Sequence, residues 1–220
     1  MSLSFTHHLT LFGGSFNPPH LGHAQAALGL LQNPGVGKLV VLPTFGNPLK
    51  PGVTTFQHRF QMAKLNFPEF DVLDFENVEQ TKSTFELLSR VNLLAGEQPV
   101  AFVIGTDQFQ QLDAWINFPT FLGLCDWIVL VRKPSTLDSC ETAIRKLDSS
   151  GILKATRDPL EFEMRVNGKT RSLRFVETNA IAVSSTQIRE KLALGKKAEL
   201  APYLKKDVLE YVERNSLYGT

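Results

Sequence analysis

The feature that most limits the fold of this 220-residue chain is an alternation. Short β-rich runs at 9–12, 38–42, 70–75, 100–104, 127–131 and 173–176 are separated by segments with apolar residues at helical spacing. Those helical segments are 21–31, 55–66, 83–94, 185–194 and 205–214. Strands that follow one another in one direction need a crossover, and a helix is the usual one. The order therefore predicts βαβ units and an α/β fold with a doubly wound, mainly parallel sheet. Length predicts a single domain, 1–220, able to bury a real core. The pattern weakens over 134–171, where a helix near 137–147 precedes a polar stretch with Asn167-Gly168, a hairpin dipeptide. This segment is read as an insertion, and the chain from about 184 onward as a helical C-terminal part.

Charge and apolar run length narrow the partners. Lys+Arg 23 against Asp+Glu 22 leaves a net charge of +1, which gives no support to nucleic acid as a partner. No apolar run approaches the roughly 20 residues of a membrane helix, so no membrane partner is expected. Cys125 and Cys140 stand in no metal-ligand spacing, and the N-terminus lacks the features of a signal peptide. A reduced, cytoplasmic protein is expected, with Cys125 in its core; a homo-oligomer remains open.

The stretch after the first predicted strand carries the chemistry. In a doubly wound sheet, ligands bind beyond the carboxyl ends of the strands, and Gly13-Gly14 lies directly there. Glycine lets a backbone approach a ligand closely. Asn17-Pro18-Pro19 forces an extended turn, and the next helix opens near His20 with its unpaired N–H groups facing the crevice. That combination is an anion site. His20 and His23, flanking Gly22, share one face of the first turn, where both imidazoles can donate to phosphate oxygens. A histidine near a helix start is commonly a surface or capping residue, and a His-x-x-His pair can also ligate zinc. Zinc would need a third ligand and leaves the glycines unexplained, so no protein metal site is expected. Neither the Gly-x-Gly-x-x-Gly nor the Walker pattern is present.

A second motif closes the site. In Val183-Ser184-Ser185-Thr186-Gln187-Ile188-Arg189, Ser184 or Ser185 caps a helix and Gln187 completes a capping box. As structure that suffices. A helix start rich in hydroxyls is also a phosphate cradle, with Arg189 one turn on and on the same face.

The segment Gly13 to His23 is similar to the His-x-Gly-His signature of the nucleotidyltransferase superfamily. Together with Ile104-Gly105-Thr106-Asp107, Trp115, Arg132 and the Val183 to Arg189 motif, it resembles the bacterial nicotinate mononucleotide adenylyltransferases over nearly the whole chain. The resemblance implies a Rossmann-like nucleotidyltransferase fold and a reaction joining ATP and nicotinate mononucleotide to give deamido-NAD and pyrophosphate. It implies Mg2+ as cofactor, held mainly by ATP phosphates and water. His20, His23 and Arg189 would be the catalytic set. Gly13, Gly14, Ser15, Phe16, Gly22, Lys50, Ser184, Ser185 and Thr186 would serve ATP and its phosphates. Thr84, Gly105, Asp107, Trp115 and Arg132 would serve ribose and pyridine.

Several of these positions have a structural reading too. Asp107 can bind a ribose hydroxyl or cap the next helix. Trp115 can stack on pyridine or be plain core, and Arg132 can line the site or pair on the surface. Arg59 reads as structural. Two positions depart from the family pattern: Asn47-Pro48-Leu49-Lys50 stands where many relatives have Pro-Pro-His-Lys, and Lys82-Ser83-Thr84 where many have Ser-Tyr-Thr. The lysine and Thr84 survive. The alternatives are an adenylyltransferase acting on nicotinamide mononucleotide or phosphopantetheine, and a non-catalytic nucleotide-binding regulator.

Overall fold

The computed structural model describes residues 5–33, 35–44, 54–74, 81, 83–132 and 135–220. Its strands are β1 (Phe5–Gly14), β2 (Val36–Pro43), β3 (Asp71–Val72), β4 (Val100–Gly105), β5 (Asp126–Arg132), β6 (Leu153–Ala155), β7 (Glu161–Val166) and β8 (Lys169–Thr178). They form one sheet in the order β3-β2-β1-β4-β5-β8-β7-β6. From β3 to β8 every neighbouring pair is parallel, and β7 and β6 add an antiparallel edge. The predicted run at 70–75 yields a strand of two residues, and Phe75 lies outside the described residues.

The parallel strands are apolar along their length because both faces are covered. In β5, Trp127, Val129 and Val131 join one core cluster while Ile128 and Leu130 join the other. Helices α1 (Leu21–Leu31) and α2 (Phe56–Asn66) cover one face, setting Ala24, Ala27, Leu30 and Ala63 against Phe12, Val41 and Val103. Helices α3 (Thr84–Ala95) and α5 (Glu141–Ser149) cover the other, with Leu87, Leu88, Val91 and Leu147 among its core residues. A single helical turn, α4 (Thr106–Phe109), follows β4. Helices α6 (Ser185–Ala193) and α7 (Lys206–Arg214) form a third cluster with Met62 of α2.

The segment 134–171, expected as an insertion, supplies α5 and two strands of the same sheet. Its helix starts at Glu141, after one 3-10 turn at Asp138–Cys140. Asn167 and Gly168, at φ 50° and 74°, make the tight β7–β8 turn that their sequence predicts. Met164 and Val166 from β7 are buried in the larger core cluster. Among the described residues, no helix is long and apolar enough to cross a membrane.

Chain order reverses at β1, which lies between β2 and β4. A crevice beyond the carboxyl ends of β1 and β4 follows from that topology.

Candidate active site

A cleft of about 450 Å³ opens there. Its walls are Gly13 to Phe16, where β1 runs on through both glycines instead of stopping at Phe12, the Gly105 to Gln108 turn, Arg132 at the end of β5, and the first residues of α6. Its two glycines have a packing reason beside any ligand. A Cβ on Gly13 would sit 2.4 Å from the Phe102 ring, and one on Gly14 would sit 2.8 Å from the Phe16 ring. Gly22 is confined as well, since a Cβ would lie 2.8 Å from the Ile181 carbonyl and 3.1 Å from His20 Nδ1.

His20 is the N-cap of α1 and His23 its third residue. Each backbone N–H donates to the other residue's Nδ1, at 3.2 and 3.3 Å, and the rings stack with centroids 3.6 Å apart. Because both Nδ1 atoms accept, the ring proton of each imidazole sits on Nε2. His20 is 1% exposed, and burial, with the Arg132 charge second, lowers its pKa to about 3. It is a neutral donor at physiological pH, not a cation. One expectation is corrected here. Two of the N–H groups at the start of α1 are turned away from the crevice, since Leu21 N–H donates to the Tyr203 carbonyl and His23 N–H turns back to His20, while Gly22 lies in the cleft lining. The imidazoles take over as the polar groups of this helix start.

The turn ahead of His20 is held from outside. Pro18 and Pro19 have no N–H, so the turn's carbonyls depend on other elements for donors. Arg189 Nη1 donates to Asn17 O at 2.8 Å, Ser185 Oγ to Pro18 O at 2.8 Å, and Asn66 Nδ2 to His20 O at 3.2 Å. Arg59, 1% exposed, donates to the carbonyls of Ser15, Thr44 and Thr54 at 2.8, 2.6 and 3.0 Å. Its burial lowers the guanidinium pKa to about 10, still charged at neutral pH, and its role is structural as expected.

The second motif forms the cap its sequence predicts. Ser184 Oγ accepts Gln187 N–H at 3.2 Å while Gln187 Oε1 accepts Ser184 N–H at 3.0 Å. Arg189 Nη2 donates to Thr186 Oγ1 at 3.2 Å. At the end of β4, the cap of α4 is Gly105, whose N–H donates to Gln108 Oε1 at 3.1 Å. Gln108 thus takes the capping role that the sequence also offered to Asp107, and Asp107 stands exposed in the cleft wall.

The structure gathers Gly13, Gly14, Ser15, Phe16, Gly22, His23, Gly105, Asp107, Arg132, Ser184 and Ser185 around one cleft. His20 lies beneath it, buried against His23. Arg189 and Thr186 stand outside the cleft lining, with Arg189 gripping the turn. Trp115 and Thr84 do not line it either. Trp115 stacks on Phe121 at 5.6 Å and packs on the larger core, and Thr84 is the first residue of α3 behind a Ser83 cap. Lys50, Leu49 and Lys82 lie outside the described residues. Cys125 is 3% exposed, in the core, and burial raises its thiol pKa. Sequence reasoning missed Gln108 and Thr178 in the lining, and it missed Asn17, whose Oδ1 accepts from Tyr218 O–H at 2.7 Å and Thr54 N–H at 3.3 Å. No local signal marks the Tyr218 contact, which joins residues 201 positions apart.

A nucleotide-sized crevice at a sheet's reversal point, edged by a histidine-capped helix, defines a class of α/β nucleotide-handling proteins. The chain belongs to the cytidylyltransferase-like family, whose model matches residues 11–191. It is similar to the probable nicotinate-nucleotide adenylyltransferase of Methylococcus capsulatus, 28% identical over 216 residues that cover 95% of this chain and 98% of that protein. The probable nicotinate-nucleotide adenylyltransferase of Yersinia pestis is 30% identical, with 94% of each chain covered. In fold it matches the Plasmodium falciparum nicotinic acid mononucleotide adenylyltransferase complexed with NaAD, with a TM-score of 0.73, 16% identity, and 96% of this chain and 97% of that one covered.

Proposed function

We infer that the protein transfers the adenylyl group of ATP to nicotinate mononucleotide, giving deamido-NAD and pyrophosphate in NAD biosynthesis. The observation that carries this reading is the pair of stacked, Nε2-protonated imidazoles at the start of α1, beside a cleft at the sheet's reversal point. A phosphate oxygen of the mononucleotide attacks the α-phosphorus of ATP. A new P–O bond forms, the bond to the bridging oxygen breaks, and pyrophosphate leaves with the electron pair. The attacking phosphate is already ionised, so no protein base is required.

The protein's task is positioning and charge neutralisation. His20 and His23 donate from Nε2 to α- and β-phosphate oxygens. Neutral donors suit this role, because they stabilise charge as it develops without needing a proton from solvent. Arg189 and Lys50 offset charge on pyrophosphate, and Ser184, Ser185 and Thr186 complete the phosphate side. Asp107 binds a ribose hydroxyl and Arg132 adds a cation over the cleft, while Trp115, outside the cleft lining with one face on Phe121, is the residue the family resemblance offers to the pyridine ring. Among the described residues Asp107 is the one carboxylate in the cleft lining, which suits a Mg2+ ion held by phosphate oxygens and water. When bound, that ion neutralises phosphate charge. The two cysteines are unpaired and buried, in keeping with a reducing, cytoplasmic setting.

The acid rather than the amide is the acceptor. Ser83 Oγ accepts the Glu86 N–H at 3.2 Å, which leaves Thr84 and Phe85 at the start of α3 to meet a carboxylate, with the Thr84 hydroxyl beside them. An amide NH₂ facing those donors leaves groups unpaired, at a cost of about 1–3 kcal/mol, roughly ten- to hundredfold. Pyrophosphate release with nicotinate mononucleotide, nicotinamide mononucleotide and phosphopantetheine tests both levels. The acid should show a ten- to hundredfold advantage in kcat/KM over its amide. Equal or better use of the amide overturns the acceptor, and no release with any of the three overturns the transferase.

A further inference from the structure

We propose that Tyr218 is a positioning residue for this transfer: its hydroxyl locks the Asn17 side chain and so holds the turn that presents His20. The proposal rests on the adenylyl-transfer reading above. Tyr218 O–H donates to Asn17 Oδ1 at 2.7 Å, and Asn17 is only 5% exposed. The backbone of the Asn17 to His20 turn cannot hold itself, because two of its residues are prolines. Its carbonyls are gripped by Arg189, Ser185 and Asn66, and Tyr218 grips its side chain.

Two further observations single out the tyrosine. Ser216 and Tyr218 stand at φ 49° and 59°, in the left-handed region that residues other than glycine rarely adopt. Such a conformation persists where surrounding contacts favour it, and the hydrogen bond to Asn17 is a contact this backbone makes possible. The phenol is also flanked by the Arg59 and Arg189 charges, yet burial keeps its pKa above the ordinary tyrosine value. It stays protonated, hence a donor, at any working pH. Arg59 holds the Ser15 carbonyl and Arg189 the Asn17 carbonyl, so the tyrosine sits between the two cations that fix either end of the loop. With Pro18 and Pro19 restricting motion between them, a shift at Asn17 is passed to His20.

The test compares the full-length wild type with Tyr218→Phe and Tyr211→Phe by initial-rate kinetics with ATP and nicotinate mononucleotide. Tyr211 is a control on α7, where its hydroxyl meets His58 Nδ1 at 2.9 Å without touching the loop. Tyr218→Phe should lower kcat roughly tenfold, as loss of one hydrogen bond to a buried acceptor allows, with KM for the mononucleotide within about twofold. Tyr211→Phe should keep kcat. In an Asn17→Ala background, adding Tyr218→Phe should lower kcat no further, because the contact is already gone. A wild-type kcat in Tyr218→Phe, or an undiminished effect in the Asn17→Ala background, overturns the proposal. If Tyr218→Phe does not fold, Asn17→Asp and Asn17→Leu probe the same contact from the other side. The aspartate still accepts from the phenol and should retain far more kcat, and equal losses overturn the proposal. An inactive wild type overturns the adenylyl-transfer reading itself, whereas an active wild type with unaffected variants removes only this role.

Discussion

Helices α1 and α6 start at the same cleft and each closes a reciprocal capping box, yet the two boxes are made of different chemistry. At α6, Ser184 and Gln187 do what a serine and a glutamine do at many helix starts. At α1, two imidazoles occupy the same two positions, one of them almost fully buried. A cap needs only a small acceptor and a partner three residues on, so stability alone does not call for rings. The α1 box thus caps its helix with two rings, the pair proposed above as phosphate donors. Around the α6 box, Ser185 and Arg189 reach across to brace the turn that carries that pair. One helix start holds the imidazoles, and the other helps to hold them in place.

The sharpest way to break this comparison is to make the two boxes alike. His20→Ser with His23→Gln writes the α6 box into α1, keeping the cap and removing the rings. Turnover should fall at least a hundredfold, the scale of losing one preorganised transition-state donor, while the melting temperature moves by a few degrees at most. A kcat within a few-fold of wild type would reduce the histidines to capping residues. Steady-state kinetics alongside thermal melts decide it.

A smaller effect concerns acid. The folded pKa of His20, about 3, lies below the value of 6.5 that an unfolded chain would show. Between those values the unfolded state binds a proton that the folded state does not, so stability is full above about pH 6.5 and declines as pH falls toward 3. At pH 5 the loss is about 2 kcal/mol for this group alone. His20→Asn keeps a good N-cap without a titrating ring. Denaturant melts from pH 7 to 5 should therefore show a shallower decline in the variant than in the wild type, and parallel declines would contradict the burial of a neutral His20.

The smallest of the three effects belongs to α6. A lysine at 189 keeps the charge but loses the fork that meets Asn17 O and Thr186 Oγ1 together. Arg189→Lys should reduce kcat/KM for ATP about tenfold, as for one charge-assisted hydrogen bond, with KM for the mononucleotide nearly unchanged. Unaltered ATP kinetics would leave Arg189 a structural brace of the turn with no part in ATP use.

Much of the fold is legible because its signals are local. The α1 helix runs over the predicted 21–31, bounded by Pro19 before its cap and carried by an alanine-rich face. The β5 run is recognisable from a continuous apolar stretch, and Asn167-Gly168 marks its turn because few residue pairs tolerate two positive φ angles in succession. The strands β6 and β7 escaped a period-based reading. They are short, partly polar and half-exposed, and only pairing of β7 with β8, and of β6 with β7, makes them strands. Likewise α4 is a single turn, too short to show any period.

The same division runs through the site. By itself, the sequence determined that two histidines share one helix start, that Ser184 or Ser185 caps a helix with Gln187 completing the box, and that a glycine pair lies at the end of the first strand. In each case the partners lie within a few positions, so chain connectivity alone brings them together. Tertiary structure alone decided that His20 is buried and neutral, because its desolvation and the Arg132 charge come from elements far along the chain. It also decided that Arg59 grips Ser15 across 44 positions, Arg189 reaches Asn17 across 172, and Tyr218 reaches Asn17 across 201. Such contacts leave no periodicity to read, since their geometry exists only once the sheet and its flanking helices have packed.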